Sequence, residues 1–515
     1  MTSPGRRVRR RSAADRAADA GAPFPLRRRE RAQLPFKRDV SLATTAVLIV
    51  ALTALGAAIR VGVNRGLSVD EILTVNQAHS SFGGLISLLI HRGTHPPLHP
   101  VLEWCALHLV GDGTFAMRLP ALIAGTALIP VVAMLARELF DRLTAIVAAL
   151  LACLAPILVW YSQDASSYAL VALFGTVAVL GAVRAERTGA PRDWALHAVG
   201  AALCIWSDWS GIFIVLASEI VIAAGWARRR RVPADSRAFL VRWGLETLAL
   251  AAQLAVLGAL FVSQLHANGG LSGVTNVAAS GVSFYSSVSI ASWALFGFHP
   301  QSVTSVLSAV WPLAMLGSLL LVGRGGSRNG WLLLTCVLVP TIGVFILGLA
   351  TPASYDVRYA IAAVPPALVI VARVAVSWPR GRTGRILVTL GVVVVLAAAL
   401  VDQQVDANNP RRYDYREALA QVQREAQGAP RRAVVFYAPA QLRVVLAHYG
   451  PTLHSAPLSR HLPTRAQASS VFVATSGARQ PATLQLVNRE LGALRSTRHL
   501  VRFRRYSGIN VWWFR

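Results

Sequence analysis

Two adjacent carboxylates, Asp70 and Glu71, follow the first long apolar segment and are the first candidates for chemistry. Acids are scarce in this chain, because its 515 residues contain 24 Asp and Glu against 51 Lys and Arg. An ionised carboxylate accepts a proton from an attacking hydroxyl group, so the pair suits general-base catalysis. Ser68 and Glu71 also form a capping-box pattern, which predicts that Glu71 closes the start of a helix. Asp70 then lies in the first helical turn, where the helix dipole favours the ionised base.

Asp164 and Arg358 are further charged residues at the ends of apolar segments, in YSQDASS and TPASYDVRY. A guanidinium group binds phosphate oxygens in bidentate geometry, so Arg358, with Arg118 or Arg60, is a candidate to stabilise a departing phosphate. Two structural alternatives stay open. In the first, Asp164 caps the helix that follows it. In the second, Arg358 extends to lipid headgroups.

Histidines are a third group of candidates. One set is spaced by four residues, as ligands on one helix face would be: His91, His95, His99 and Glu103. Two prolines directly after His95 interrupt a helix there, which argues against a shared metal site, and His95 is expected to line the site instead. A divalent cation held by Asp70 and Asp164 is left open as the cofactor. Asp208, between two tryptophans, is predicted to be an interface anchor, with contact to donor or acceptor as the alternative.

The composition identifies the class of protein. Hydrophobic residues make up 54% of the chain and charged residues 15%. Runs of about 18 or more apolar residues recur, and each is long enough to span a bilayer as a helix. The chain is therefore predicted to be a polytopic α-helical membrane protein. The eleven predicted transmembrane helices lie near 41–60, 118–137, 143–160, 168–184, 194–209, 210–227, 243–263, 303–323, 331–350, 359–377 and 385–402.

Basic loops predict the orientation of these helices. Five arginine clusters between predicted helices fall on the side of the basic N-terminal tail, which is cytoplasmic by the positive-inside rule. Counting 95–112 as a further span would move these clusters outside, so this segment is predicted to be an interfacial or re-entrant helix. The stretch 80–92 is predicted to be a second surface helix. Asp70, Asp164 and Arg358 then face the extracytoplasmic side.

The prediction divides the chain into three parts. Residues 1–40 form a disordered basic cytoplasmic tail, 41–402 a transmembrane catalytic domain whose first extracytoplasmic loop spans 61–117, and 403–515 a small extracytoplasmic α/β domain. The last part is predicted to contain helices near 413–427 and 482–495 and strands at 432–438, 470–475, 498–505 and 509–514. A Gly-, Ser- and Asn-rich loop at 267–281 is either slack or a lid.

Charge and cysteine content exclude other classes. The net charge of +27 is carried mainly by the tail and loops, where it sets membrane topology, so no nucleic-acid partner is predicted. The four cysteines lie in or beside apolar segments without CxxC spacing, and they are expected to be small buried hydrophobes.

The extracytoplasmic side limits the chemistry. ATP and nucleotide sugars are not normally available outside a bacterial membrane, whereas polyprenyl-phosphate sugars are. Attack of an acceptor hydroxyl on the sugar C1 needs a base, which Asp70 supplies. The departing phosphate needs positive charge rather than a general acid, and Arg358 supplies it. A single displacement of this kind inverts the anomeric centre.

The order of motifs resembles the PMT/ArnT-like group (glycosyltransferase family 39) of the GT-C superfamily, whose members use polyprenyl-phosphate sugars. The motifs are DE, HPPL, MRLPAL, WYSQDASSYAL and a late RY. They cover about 41–400 well, and a weaker similarity extends into 410–450. The resemblance implies a GT-C fold with juxtamembrane helices and a C-terminal outer domain.

The resemblance also implies site residues. Asp70 matches the catalytic aspartate of the first loop, with Glu71 beside it, and Asp164 stands where related sequences carry an acid. Arg358 and Tyr359 match the late Arg-Tyr pair that faces the lipid phosphate. The other residues expected to bind the donor phosphate or substrate are His95, Arg118, Tyr161 and Gln163.

We therefore expect an inverting glycosyltransferase of the bacterial inner membrane. It would move a sugar from a polyprenyl-phosphate donor to an extracytoplasmic glycan, lipid or protein acceptor of the cell envelope. A composition rich in Arg, Ala and Val and poor in Lys is typical of a high-GC bacterial genome, where mannose or arabinose is the expected sugar. Two alternatives stay open: a transporter or flippase of lipid-linked sugars without chemistry, and a scaffold of an envelope-synthesis complex.

Overall fold

A computed structural model describes residues 41–62, 66–91, 93, 95–229, 233–267, 282–298, 316–321, 327–350, 355–378, 381–405, 413–427, 433–458, 468–476 and 481–515. The predicted tail 1–40, most of the predicted loop 267–281 and most of the predicted helix 303–323 lie outside these residues. The chain divides into two compact units, Met1–Thr44 and Thr45–Arg515. Of the first unit, only 41–44 are described, at the start of a helix. All contacts below lie in the second unit.

The first part of the chain is helical. Its α-helices are α1 (Leu42–Val61), α2 (Val69–Ala78), α3 (Phe82–His91), α4 (Leu98–Val110), α5 (Thr114–Leu139), α6 (Arg142–Leu154), α7 (Pro156–Ser162), α8 (Tyr168–Thr188), α9 (Pro191–Ser207), α10 (Gly211–Arg229), α11 (Pro233–Ala267), α12 (Phe284–Phe296), α13 (Arg328–Ala350), α14 (Val364–Ser377) and α15 (Arg382–Val405). A 3-10 helix, Val357–Ala363, leads directly into α14.

Long apolar helices confirm the predicted class of membrane protein. In the described part of the chain, eight helices are long and apolar enough to cross a membrane, and they coincide with eight of the predicted segments. A ninth span is added if α6 and α7, which meet at 57°, form one broken span. The predicted segment 194–209 corresponds to α9, which has 17 residues. The total of eleven spans stays a prediction.

The break between α6 and α7 explains the position of a buried arginine. Pro156 has no N–H group, so the carbonyl of Ala152 loses its helical donor. The Arg60 guanidinium replaces that donor, with Nη2 at 3.1 Å from the Ala152 oxygen and Nη1 at 3.3 Å from the Cys153 oxygen. Its Nε donates to Ser162 Oγ at 3.1 Å. Arg60 therefore holds the broken helix, and its proposed contact with a donor phosphate is wrong.

Two short helices occupy the predicted surface segments of the first loop. The prediction of 80–92 corresponds to α3, and 95–112 corresponds to α4, which has 13 residues and a length of about 20 Å. Trp104 joins them, because its Nε1 donates to the Ser80 carbonyl at 3.0 Å and its ring packs edge-on against Phe82. Gln264 of α11 donates to the Leu89 carbonyl at 2.8 Å and so fixes α3 against the bundle.

The C-terminal part is the predicted α/β domain. Its elements are α16 (Tyr415–Ala426), β1 (Ala433–Ala438), α17 (Leu442–Tyr449), β2 (Ser455–Pro457), β3 (Ser470–Thr475), α18 (Pro481–Thr497), β4 (Leu500–Tyr506) and β5 (Ile509–Phe514). The five-stranded sheet has the order β2-β1-β3-β5-β4. β1 pairs in parallel with β2 and β3, whereas β5 is antiparallel to β3 and β4.

This domain packs on the start of α2. One buried apolar cluster contains Leu67 and Ile72 together with Leu419 and Leu442 from the C-terminal domain. The Leu67 N–H donates to the Tyr449 hydroxyl at 3.0 Å. The C-terminal domain therefore helps to position the loop that carries the two adjacent acids.

Candidate active site

Asp70 and Arg358 meet although 288 positions separate them, with Arg358 Nη1 at 3.1 Å from Asp70 Oδ2. Asp70 lies in the first turn of α2, and Arg358 lies in the 3-10 helix before α14. The Asp70 side chain is 72% exposed, and that of Arg358 is 19% exposed. An accessible carboxylate thus lies beside a largely covered cation.

The Arg358 guanidinium is oriented by aromatic rings and by the backbone. It lies 5.1 Å from the ring centre of Tyr359 and 5.9 Å from that of Tyr168. The Arg358 N–H donates to Asp356 Oδ1 at 3.1 Å, which caps the 3-10 helix. Among the described residues, Arg358 Nε has no hydrogen-bond partner. A guanidinium held by rings, with a donor unused, suits a phosphate ligand.

Glu71 has a different environment from its neighbour. Its carboxylate accepts hydrogen bonds from the Ser68 N–H at 2.8 Å and the Ala165 N–H at 3.0 Å. Arg118 donates from Nε at 2.8 Å and from Nη2 at 3.2 Å. The capping box is complete, as predicted, and the Glu71 side chain is 1% exposed. These contacts favour a positioning role for Glu71 and Arg118 over direct contact with substrate.

Asp164 lies near this network. It is half-buried and within electrostatic range of both Arg118 and Glu103. The alternative in which Asp164 caps a helix is wrong, because α8 begins at Tyr168 with Ser167 at the N-cap position. The role of Asp164 as a second catalytic acid stays a prediction.

Tyr161 and Gln163 are buried and contact neighbouring helices. Gln163 donates to the Ile59 carbonyl at 3.2 Å and accepts from Gln404 Nε2 at 2.9 Å, so it links α1 and α15. The buried Tyr161 ring packs edge-on against Tyr168, with centroids 5.0 Å apart. Tyr161 therefore supports Tyr168, and Gln163 joins two helices of the bundle. Their predicted contact with substrate stays a prediction.

His95 is paired with Asp208, the acid that was predicted first as an interface anchor. His95 Nδ1 lies 3.5 Å from Asp208 Oδ2, and the Asp208 side chain is only 2% exposed. Asp208 also accepts from the Ser210 N–H at 2.9 Å and from Ser167 Oγ at 3.2 Å. Burial alone would raise the pKa of Asp208, but hydrogen bonds from His95 and Ser210 hold it below its usual value.

Asp208 is buried and paired with His95, so its prediction as an interface anchor is wrong, and its contact with donor or acceptor stays a prediction. It lies within electrostatic range of Tyr359, as Asp70 does. In the sequence, Asp208 is an acid at the end of an apolar segment. The tryptophans on both sides of it favoured the prediction of an anchor at the membrane interface.

A buried His–Glu pair lies in α4. His99 Nε2 is 3.6 Å from Glu103 Oε1, and both side chains are nearly inaccessible. Burial, with the charges of Glu71 and Asp164, raises the pKa of Glu103 well above its usual value. Burial, with the charge of His95, lowers the pKa of His99 to about 3. His99 is therefore neutral at neutral pH, and the folded protein favours the protonated form of Glu103. The cation proposed between Asp70 and Asp164 stays a prediction.

Comparisons with known proteins agree with this architecture. The family model for dolichyl-phosphate-mannose-protein mannosyltransferase matches residues 94–257. The apo crystal structure of ArnT from Cupriavidus metallidurans has a TM-score of 0.50 and 13% identity, over 92% of this chain and 98% of that one. AglB, the oligosaccharyltransferase of Archaeoglobus fulgidus, has a TM-score of 0.49 and 13% identity, over 84% and 69%. The comparison with curated proteins found no match.

The predicted fold class is thereby confirmed. The ArnT structure shows that the fold is shared along almost the whole of both chains. The family match covers the segment from the HPPL motif to the middle of α11. The chain therefore shares the fold of ArnT, and its segment 94–257 matches the mannosyltransferase family model.

Proposed function

We propose that this protein transfers a sugar from a polyprenyl-phosphate donor to a hydroxyl group of an acceptor, with inversion at C1. The observation that carries the proposal is the 3.1 Å contact between Asp70 Oδ2 and Arg358 Nη1. It brings a carboxylate suited to take a proton and a cation suited to hold a phosphate to one accessible place.

In the proposed reaction, the acceptor oxygen attacks the sugar C1 while the Asp70 carboxylate takes the hydroxyl proton. The bond between C1 and the phosphate oxygen breaks, and its electron pair leaves with that oxygen. The resulting polyprenyl phosphate gains negative charge, which the Arg358 guanidinium neutralises. Donor binding exchanges the contact between Arg358 and Asp70 for one between Arg358 and phosphate, which releases the base.

The nature of the donor and the side of the membrane are part of the proposal. Mannose is the first sugar to test, because the matching family is described by a dolichyl-phosphate-mannose donor. Arabinose is the second. The enzyme is proposed to lie in the bacterial inner membrane with the site and the C-terminal domain outside, where cell-envelope glycans, lipids or proteins are the acceptors.

The test is a transfer assay with membranes that contain the full-length chain and radiolabelled polyprenyl-phosphate sugars. Replacing the base by Asp70→Asn is expected to lower the rate about 100-fold or more. The matched control is Asp112→Asn, which alters another exposed acid that faces a basic side chain, His79, at 3.2 Å. This control is expected to keep the rate of the wild type.

Two results would contradict the proposal. Transfer by the Asp70→Asn variant at the wild-type rate would remove Asp70 as the base. Absence of transfer with every polyprenyl-phosphate sugar, while the purified protein still binds the donor, would favour a transporter or scaffold.

A further inference from the structure

A second cluster of ionisable side chains lies inside the helix bundle. It is formed by His197 of α9, Glu219 of α10 and Glu246 of α11, each of which offers one ligand atom within 4.8 Å of the others. His197 is fully buried and the Glu246 side chain is only 4% exposed. Ionisable groups inside a membrane bundle are costly, so their presence calls for a physical reason.

This cluster is separate from the proposed active site. His197 precedes Asp208 by eleven residues, which is about 16 Å of helix rise. Glu219 lies eight residues into α10, about 12 Å from its start beside Asp208. The proposed transfer reaction uses none of the three side chains.

The hydrogen bonds of His197 fix which nitrogen carries its proton. The Ser218 hydroxyl donates to the Val215 carbonyl at 2.7 Å, so its single proton is already used. Ser218 Oγ must then accept from His197 Nε2, which lies 2.9 Å away. Nε2 therefore carries a proton, and Nδ1 faces Glu246 Oε1 in close contact. An imidazole whose other nitrogen donates a hydrogen bond is oriented as a metal ligand.

The two carboxylates have acceptor oxygens to spare. Trp243 Nε1 donates to Glu219 Oε2 at 2.7 Å. Glu219 Oε1 and Glu246 Oε2 have no hydrogen-bond partner among the residues that the structure describes. Aromatic and aliphatic side chains close by, among them Trp194 and Ile222, form an apolar cluster. Carboxylates in such surroundings need a cation or protons to balance their charge.

We propose that His197 Nδ1, Glu219 and Glu246 bind one divalent transition-metal ion of the Zn²⁺ or Mn²⁺ type, which clips α9, α10 and α11 together. One imidazole and two carboxylates are ligands that both ions accept. Bonds of about 2.0–2.2 Å draw such ligand atoms within about 4 Å of one another, so side-chain shifts of about 1 Å complete the site. The +2 charge balances the two carboxylates.

The experiment measures metal in the full-length protein in lipid nanodiscs. The protein is loaded with Zn²⁺ or Mn²⁺, excess metal is removed by gel filtration, and bound metal is determined by mass spectrometry. The wild type is expected to hold about one ion per chain, and His197→Ala and Glu246→Gln less than about a fifth of that. The control is Asp193→Asn, because Asp193 is a buried acid one turn earlier on α9 that bonds to Thr188.

A spectroscopic measurement on the wild type guards against variants that fail to fold. Loading with Co²⁺ is expected to give visible d–d absorption bands. Metal-free protein lacks these bands, and added Zn²⁺ is expected to abolish them by displacing Co²⁺. Loading is also expected to raise the melting temperature of the wild type and of Asp193→Asn, but not of Glu246→Gln. Wild-type protein that stays metal-free after loading would overturn the proposal in favour of a proton-sharing network. Equal metal content in the wild type and in folded His197→Ala would overturn it as well.

Discussion

Neighbouring residues on a helix point about 100° apart, so Asp70 and Glu71 face different surroundings although both lie in the first turn of α2. Glu71 turns inward, where Ser68, Arg118 and Ala165 provide four donors. Asp70 turns outward to Arg358 and solvent. A carboxylate held by four donors is a poor base, whereas an exposed carboxylate with one exchangeable cation can take a proton.

Some of these residue roles were predictable from the sequence, and others were not. The capping box follows from local spacing, which is why the positions of Ser68 and Glu71 were predicted correctly. The partners of Asp208 and Arg60 depend on helix packing across distant parts of the chain, as with the contact of Arg60 to Ser162. Sequence spacing holds no information on such contacts, so the partners of both residues could not be predicted.

Glu103 gives a prediction on pH dependence. Its pKa is raised in the folded state, so the folded protein favours the protonated form. The stability from this group is full below the ordinary carboxyl pKa of about 4.5 and is lost as pH rises towards the folded pKa. Glu103→Gln mimics the protonated form. It is therefore expected to raise the melting temperature at pH 8 relative to the wild type and to leave it unchanged at pH 4.

The measurement is thermal unfolding of both proteins in detergent between pH 4 and pH 8. Glu417→Gln, which alters an exposed acid of α16, serves as the control and is expected to change neither end of the range. A melting temperature of Glu103→Gln that falls below the wild type at pH 8 would show that the ionised form is the stable one.

At the scale of elements, the start of α2 is built from two parts of the chain. Gly66 approaches the Tyr413 backbone so closely that an added Cβ would lie 2.2 Å from the Tyr413 oxygen. Its own carbonyl accepts from Arg118 Nη2 at 3.2 Å, and Tyr449 holds the next residue. The C-terminal domain thereby fixes the helix that presents Asp70.

Gly66→Ala is expected to disturb this contact. The methyl group has to displace backbone, which costs about 1–3 kcal/mol of unfolding free energy, and the shift of α2 is expected to lower transfer activity. Gly83→Ala is the matched control, because nothing lies within 4 Å of its added Cβ in α3. Thermal unfolding and the transfer assay measure both effects. Equal behaviour of the two variants would show that the loop yields without cost.

The elements themselves followed from hydrophobic periodicity where they are long. The predicted helices 413–427 and 482–495 and the four predicted strands of the C-terminal domain all appear, with ends shifted by a few residues. Two elements were missed, α17 and β2. The first has only eight residues and contains adjacent valines that favour strands, and the second has three residues at an edge of the sheet. Tertiary packing stabilises both.

At the scale of the whole molecule, the charges of the loops and the chemistry of the site both predict that the site faces the extracytoplasmic side. The proposed donor is available outside the membrane, and the positive-inside rule predicts that the helix ends that carry Asp70 and Arg358 lie on that side. The end of α15 leads into the C-terminal domain, which packs on α2 beside Asp70. The orientation of the chain in the membrane therefore decides whether the site, the C-terminal domain and the donor lie on the same side.

Cysteine labelling in intact bacterial cells measures this orientation in the full-length chain. Ser496→Cys puts a thiol on an exposed position of α18, and Thr383→Cys puts one at the exposed start of α15. A membrane-impermeant maleimide is expected to label the first variant in intact cells and the second only after lysis. The wild type gives the background, since three of its four cysteines are buried and Cys105 is partly covered. The reverse labelling pattern would place Asp70 and Arg358 in the cytoplasm, where nucleotide sugars are present, and the proposed need for a lipid-linked donor would lose its basis.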